Sequence, residues 1–173
     1  MSQTDETMPR LGYVEPLEHE SISHYLGRLR RFKANSLPSA YSLGQLIERE
    51  GALARWEKLY FNPFPSFEML EALGKLLRVD TERFTQMLPS KEVIHQPRPI
   101  KLCGACYAEV PCHRIEWQVK STKVVGCERH QLRFLSNCPQ CKKSFPIPAL
   151  WVEGKCQNCS LSFAKMARFQ RHL

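Results

Sequence analysis

Four short motifs in the second half of the chain decide the fold: Cys103-Gly-Ala-Cys106, Cys127-Glu-Arg-His130, Cys138-Pro-Gln-Cys141 and Cys156-Gln-Asn-Cys159. Each motif brings two sulfur or nitrogen donors to the ends of a tight turn, and two such turns supply the four ligands that Zn²⁺ prefers. We therefore expect zinc as the cofactor, with two ions bound. Sequential pairing predicts the two ligand sets as Cys103, Cys106, Cys127 and His130, and Cys138, Cys141, Cys156 and Cys159.

Other uses of the eight cysteines fit the pattern less well. A disulfide framework is typical of short secreted proteins, and the polar, acidic stretch that begins at Met1 does not resemble an export signal. One C-x-x-C motif can be a redox pair, but four regularly spaced motifs do not suit that role. An interleaved arrangement, in which the first and third motifs share a metal, stays open. Cys112 breaks the spacing and is expected to pack as a small buried side chain, with no role assigned to it or to His113.

Composition and charge narrow the class of protein. The 173 residues are 43% hydrophobic and 24% charged, which is typical of a folded chain, and no apolar run reaches the ~20 residues of a membrane helix. We expect a cytoplasmic protein without a membrane partner. Residues 93–173 carry 13 Lys and Arg against 4 Asp and Glu, whereas residues 1–92 carry 12 against 13. Two zinc sites with seven thiolates would lower the charge of the second half to about +6, which still favours contact with nucleic acid.

The fold class expected is mainly α with small β: an N-terminal helix-turn-helix-like helical domain followed by tandem zinc ribbons. The chain divides into an extended arm (1–20), the helical domain (21–92), a proline-containing linker (93–101) and the zinc-binding region (102–173). The predicted helices cover 21–34, a stretch that ends near Gly51, 52–60 and the segments after Ser66 and Asp80. The zinc region is predicted to have strands at 115–119, 123–125 and 149–152 and a terminal helix within 163–173.

Two groups of surface residues are candidates for partner binding. The first helix carries a dense basic face, which is either a solvated surface or a contact for a partner. With the arm, it gives the partner-contact set Leu11, Tyr13, Arg28, Arg30, Arg31 and Lys33. The basic zinc region gives the nucleic-acid-contact set Arg114, Lys120, Lys123, Arg129, Lys142 and Lys143.

Enzymatic chemistry is not expected. Aspartate occurs only at Asp5 and Asp80, and the sequence contains neither a G-x-x-x-x-G-K-[ST] loop nor a G-x-S-x-G elbow. A catalytic zinc needs an open coordination position, whereas each predicted site here has four protein ligands. Cys112 and His113 are adjacent in sequence, which is a poor geometry for a nucleophile and its base.

The stretch Glu20-Ser21-Ile22-Ser23-His24-Tyr25-Leu26-Gly27-Arg28-Leu29 resembles the Glu-Ser-x-x-Ser-aromatic-Leu-x-Arg opening of the TniQ family. The second half is similar to the zinc region of that family in order and register: the Cys103 motif, His113-Arg114-Ile115-Glu116-Trp117, the Cys127 motif with Leu132, and the Cys138 motif. The resemblance covers roughly residues 15–165. His113 departs from it, because many members have an aromatic residue there.

The resemblance implies a target-selection adaptor of a Tn7-like transposon, and the short chain is similar to members from type V-K CRISPR-associated elements. Such an adaptor links an RNA-guided CRISPR effector complex and its guide RNA, near target DNA, to the AAA+ ATPase TnsC, and caps the TnsC filament. The alternative is a zinc-containing helix-turn-helix transcription regulator that binds DNA directly. The outward side chains expected after Ser66 are Glu68, Glu71 and Lys75, which suit base reading poorly. A zinc-dependent hydrolase is a third and weaker possibility.

Overall fold

A computed structural model of the chain describes residues 10–173, so positions 1–9 of the predicted arm lie outside the described residues. The fold is mainly helical with one small antiparallel sheet. No helix within the described residues is long and apolar enough to cross a membrane. The α-helices are α1 (Ile22–Arg31), α2 (Ala40–Gln45), α3 (Glu50–Glu57), α4 (Phe67–Leu77), α5 (Thr81–Gln86) and α6 (Gly104–Glu109).

Ser21 and Ser66 are the N-caps of the helices that follow them, as predicted. The hydroxyl of Ser21 accepts a hydrogen bond from the His24 amide at the start of α1, and that of Ser66 accepts one from the Met69 amide at the start of α4. Each bond satisfies an amide that has no partner inside its helix. Asp80 also precedes a helix, but its side chain makes no capping bond.

The five helices α1–α5 bury a continuous apolar core. Tyr25, Leu26 and Leu29 of α1 are buried there, together with Leu53 and Trp56 of α3. These positions recur every three or four residues, which is the spacing of one helix face. The apolar periodicity therefore identified the buried faces of both helices correctly.

Three details of the helix predictions were wrong. The second helix ends at Gln45, and Gly51 lies inside α3 and not at a helix end. The apolar spacing of the first and fourth helices also predicts that Phe32 and Phe67 are buried, yet they are 43% and 68% exposed. Phe32 is the C-cap of α1 and Phe67 is the first residue of α4, so both lie where the helix face no longer meets the core.

The predicted strands of the second half were also wrong. The segment predicted at 115–119 forms a 3₁₀ helix at Ile115–Gln118, because Trp117 and Gln118 are both buried and a half-buried strand alternates instead. The segment at 149–152 overlaps a 3₁₀ helix at Pro148–Leu150. The two prolines at 146 and 148 remove amide donors that a ladder would need.

The sheet that does form has two short strands, β1 (Gly126–Cys127) and β2 (Leu132–Arg133). Gly126 lies opposite Arg133, and Cys127 lies opposite Leu132. The segment predicted as a strand at 123–125 ends just before β1. The terminal segment forms a 3₁₀ helix at Ala164–Phe169, not an α-helix, and then runs along the free edge of β2.

The second half has its own core, formed largely by aromatic side chains. The Trp151 ring lies 4.7 Å from that of Phe163 and 6.0 Å from that of Tyr107. Leu59, from the loop after α3, is buried in this core and not in the helical one. Leu59 therefore connects the helical half of the chain to the core of the second half.

Hydrogen bonds to backbone carbonyls join the arm and the linker to the body. The Tyr25 hydroxyl donates to the carbonyl of Val14 at 3.1 Å, and Arg78 donates to that of Leu11 at 3.0 Å. In the linker, the Gln96 amide donates to the Gln118 carbonyl at 2.7 Å. The described part of the arm, residues 10–20, and the linker are thus both docked on the body.

Candidate metal centres

The first cluster brings together Cys103, Cys106, Cys127 and His130, whose ligand atoms all lie within 4.8 Å of one another. Cys103 precedes α6, Cys106 lies in its first turn, and the other two ligands come from β1 and the turn after it. The Cys106 and Cys127 sulfurs are 3.5 Å apart, and His130 Nδ1 lies 3.3 Å from the Cys106 sulfur. Four donors this close converge on one point, so the cluster can hold one metal ion.

The far side of the His130 ring is fixed by a carboxylate. Its Nε2 lies 3.0 Å from Glu109 Oε1, and the other oxygen of Glu109 pairs with Arg129 at 2.9 Å. A carboxylate on the outer nitrogen holds the ring orientation and leaves Nδ1 free to bind a metal. Sequence analysis did not identify Glu109. Its position 21 residues before His130 gives no local signal.

The second cluster consists of Cys138, Cys141, Cys156 and Cys159, again within 4.8 Å of one another. The Cys138 and Cys159 sulfurs are 3.5 Å apart, as are those of Cys141 and Cys156. Both clusters follow the sequential pairing. The interleaved arrangement does not occur, because the ligand atoms of the first and third motifs belong to different clusters.

Three of the four motifs share a backbone feature that the sequence did not reveal. The residue four positions after the first ligand has a positive φ: 53° at Gln131, 62° at Lys142 and 63° at Ser160. This left-handed residue turns the chain back after the second ligand. None of the three is a glycine, so composition gave no indication of the turn.

The thiols of each cluster shift one another's pKa values in opposite directions. The backbone amide of Lys143, together with other donors, lowers the pKa of Cys141 to about 6. A hydrogen bond from Cys106 lowers the pKa of Cys103 to about 5, and the same bond raises the pKa of Cys106. Without a metal, therefore, one thiol of the Cys103–Cys106 pair ionises at the expense of the other.

Helix α1 packs directly against the metal-binding half. The Ala149 amide donates to the Ser23 hydroxyl at 3.1 Å, and the hydroxyl itself donates to the carbonyl of Glu57. Arg31 donates to the carbonyl of Ala149. Gly27 lies so close to Ala149 that a Cβ would overlap with its carbonyl oxygen.

A buried polar network lies beside this contact. His113 Nδ1 is 2.9 Å from the Ser21 hydroxyl, and the Ser21 amide donates to the His113 carbonyl at 2.8 Å. The other ring nitrogen lies 3.3 Å from the Gln118 amide oxygen. Complete burial lowers the pKa of His113 to about 3, so the ring is neutral. This histidine therefore joins the two halves and is not a proton carrier.

Glu20 forms the other end of the junction. Its carboxylate is buried and pairs with His24 and with Arg28, whose Nη2 lies 2.6 Å from Oε2. Burial raises the pKa of Glu20, but the bonds to Arg28 and His24 lower it more, so the net shift is downward. Residue 20 also forms a bridge with residue 114.

The structure accounts for most of the predicted basic face of α1 without an external partner. Arg28 pairs with Glu20, and Arg31 binds the carbonyls of Ala149 and Trp151. Arg30 is buried and pairs with Glu57, with Nη2 2.9 Å from Oε2. The placement of Arg30 on a free surface was therefore wrong, whereas Arg28 and Arg31 are half-buried and have partners inside the chain.

The remaining predicted partner residues are at the surface. Tyr13 is 47% exposed, Lys33 is exposed and Leu11 is half-buried. Tyr13 also borders a surface cavity of about 330 Å³, which Glu15, Arg78 and Asp80 help to line.

The predicted nucleic-acid set is brought together only in part. Arg114 is 3% exposed, so its assignment to a nucleic-acid surface was wrong. Its guanidinium lies 3.7 Å from Glu116 and borders a cavity with Cys106 and Cys127. Its positive charge is therefore placed next to the thiol cluster. The other members, Lys120, Lys123, Arg129, Lys142 and Lys143, are exposed.

Cys112 and His113 do not form a nucleophile pair. The Cys112 thiol donates to the carbonyl of Glu18, and burial raises its pKa to about 12. The His113 ring bonds to Ser21 and Gln118 instead. Cys112 packs as a small buried side chain.

The structure thus describes a mainly helical protein with two four-ligand clusters, each able to hold a metal ion. No protein-family model matches the chain, and a search of curated proteins found no match.

Proposed function

We propose that this protein is a target-selection adaptor of a Tn7-like, CRISPR-associated transposon, of the TniQ type. It would link the RNA-guided effector complex to the AAA+ ATPase TnsC and cap the TnsC filament on DNA. The observation that carries the proposal is the contact between the two stretches that resemble the family. Ser21 of the first stretch bonds to His113 of the second, and residue 20 bridges residue 114. Two distant motifs that meet in one buried junction support a resemblance to the whole architecture.

We propose Zn²⁺ as the ion of both clusters. Cys₃His and Cys₄ donor sets match the soft-ligand, tetrahedral sites in which zinc is structural. Glu109 behind His130 supplies the outer carboxylate that such histidine ligands usually have. Four protein ligands leave no position for substrate, so both ions would stabilise the fold, and we propose a role without catalysis.

We also propose a finer description of each half. Helices α2 and α3 are joined by a four-residue turn, 46–49, and pack together after α1, an arrangement suited to a helix-turn-helix-like unit. In the second half, paired turns that each carry two ligands are the building blocks of zinc ribbons. Both units would present surfaces to partners, not active sites.

Two surfaces are available for the proposed partners. Leu11, Tyr13 and Lys33, which remain from the partner-contact set, would meet TnsC through the arm and the end of α1. The exposed basic residues of the second half would lie along guide RNA or target DNA, because attraction to phosphates does not need a base sequence.

Affinity co-purification tests the proposal. The tagged chain is mixed with the ATPase and the guide-RNA-loaded effector of a type V-K element, first singly and then together. The proposal expects both to be retained, and a Tyr13→Ala/Lys33→Glu variant to lose the ATPase more than an Arg49→Glu variant does. Retention of neither, together with sequence-dependent binding to a DNA library, would favour the transcription regulator instead.

A further inference from the structure

The final residues of the described chain extend the small sheet. The amide of Arg133 donates to the carbonyl of Arg171 at 2.8 Å, and the amide of Leu173 donates to that of Gln131 at 3.0 Å. Leu132 pairs with His172 between these two bonds. The segment 171–173 therefore runs antiparallel along the free edge of β2, joined to it by an isolated bridge.

This register places two arginines directly opposite each other. Because Leu132 faces His172, the next pair along the strands is Arg133 and Arg171, and both side chains are exposed. Residues opposed in this way have Cα atoms about 5.5 Å apart. On the other side of Arg133 lies Gly126, where the absence of a side chain leaves room for the side chain of Leu173.

The two guanidinium groups have no counter-ion among the described residues. Neither takes part in any of the ion pairs there, whereas three of the four acidic side chains of residues 93–173 pair elsewhere: Glu109, Glu116 and Glu153. Like charges opposite each other on neighbouring strands are unfavourable. A bound polyanion would remove that repulsion.

An exposed aromatic side chain lies beside the pair. Phe169 is 53% exposed, whereas Gln170 is buried. The Gln170 amide group bonds to the Gly104 amide at 2.8 Å and to the Arg133 carbonyl at 2.7 Å. Phe169 is the last residue of the 3₁₀ helix and Arg171 follows the extended residue Gln170, so two exposed side chains flank one buried side chain.

We propose that Phe169, Arg133 and Arg171 form a binding site for single-stranded nucleic acid. The guanidinium groups bind successive phosphates through paired N–H donors, and the phenyl ring stacks on a base. Gln170 fixes the segment that carries Phe169 and Arg171 to the first cysteine motif. The inference does not require a role in transposition, and none of its residues belongs to the nucleic-acid set predicted from sequence.

Fluorescence anisotropy with a 5′-labelled 20-nucleotide oligouridylate tests the site in the full-length chain. The Arg133→Gln/Arg171→Gln variant is expected to bind roughly tenfold more weakly at 0.1 M salt, with the slope of log K against log salt lower by about 1.4. An Arg49→Gln/Arg55→Gln variant removes the same charge from exposed positions of the helical half and should behave like wild type. The Arg133→Lys/Arg171→Lys variant keeps both positive charges, so the slope of log K against log salt should equal that of the wild type.

The aromatic contribution is tested separately. Phe169→Ala is expected to weaken oligouridylate binding by about five- to tenfold. Phe169→Leu keeps an apolar side chain but loses the ring, so it should weaken binding by nearly as much. Neither variant should change binding of a 20-base-pair duplex DNA by much. No binding by the wild type, or equal losses for the Arg133/Arg171 and Arg49/Arg55 variants, would overturn the proposal. Competition by polyglutamate as effective as by unlabelled oligouridylate would also overturn it, in favour of an acidic protein partner. Circular dichroism and metal content of every variant exclude misfolding as the cause.

Discussion

At the scale of single residues, the metal centre depends on a carboxylate that is not a ligand. Glu109 holds the His130 ring by its Nε2, and its own second oxygen is held by Arg129. Without that bond the ring can rotate, and binding a metal must then also fix its orientation. The affinity of the first cluster is therefore set partly outside its four ligands.

We predict that Glu109→Gln weakens metal binding at the first cluster by about tenfold or more, as loss of such outer carboxylates usually does. Competition with a chromophoric chelator measures the affinity of each site. Glu128→Gln provides the matched control, because Glu128 is an exposed acid in the same turn with no ion pair among the described residues. If both variants release metal equally, Glu109 has no orienting role.

His113 should make stability depend on pH. Its folded pKa is about 3, below the value of about 6.5 in an unfolded chain, so the unfolded state takes up a proton first as the pH falls. The wild type should therefore lose about 1.4 kcal/mol per pH unit below pH 6.5 relative to His113→Gln. Metal release by acid is common to both proteins and cancels in the comparison.

Urea unfolding of the two proteins at pH 7.5, 6.5 and 5.5 measures this difference. A gap between wild type and His113→Gln that does not change with pH would show that the histidine has the same pKa in the folded and unfolded states.

At the scale of elements, the sequence predicted the buried face of α1 but not the partners of its charged side chains. The buried face of Tyr25, Leu26 and Leu29 follows from apolar spacing. The partners of Arg28 and Arg30 do not, because Glu20 precedes the helix and Glu57 belongs to α3. Arg28 and Arg30 are neutralised by acidic residues from other segments, and only the tertiary fold brings those segments close.

The cysteine motifs were predictable because their geometry is local. Two ligands separated by two residues turn toward one point whatever the rest of the chain does. The strands around them were not predictable, since residues such as Arg114 and Val119 pair one at a time with distant segments. In this half, the two Cys and His clusters and aromatic packing replace regular sheet structure.

Gly27 provides a test of the contact between α1 and the metal half. We predict that Gly27→Ala lowers the free energy of unfolding by about 1–3 kcal/mol, because the added methyl group overlaps with the carbonyl of Ala149. Gly51→Ala in α3 is the control, since its Cβ would meet nothing within 4 Å. There the better helix propensity of alanine should raise stability by about 0.5–1 kcal/mol. Stabilisation by both substitutions would mean that α1 does not pack closely on Ala149.

At the scale of the whole molecule, metal binding and the helical half should be coupled. The Ser21–His113 and Ser23–Ala149 bonds join α1 to the half that contains both clusters. We predict two metal ions per chain by native mass spectrometry. Removal of both by a chelator should increase amide hydrogen exchange in α1 as well as around the cysteines, because α1 loses its packing surface.

Helix α4 is the internal control for that experiment, since the junction bonds described above do not involve it. Faster exchange confined to the cysteine turns, with α1 unchanged, would contradict the coupling.

We propose that the chain caps a filament of the ATPase TnsC, and electron microscopy of that filament is the sharpest test. ATP-bound TnsC of a type V-K element is assembled on DNA with and without an equal concentration of this protein, and with the metal-depleted protein as a control. We expect shorter filaments with extra density at one end, only with the metal-loaded chain. Filaments of unchanged length with bare ends would contradict the proposal.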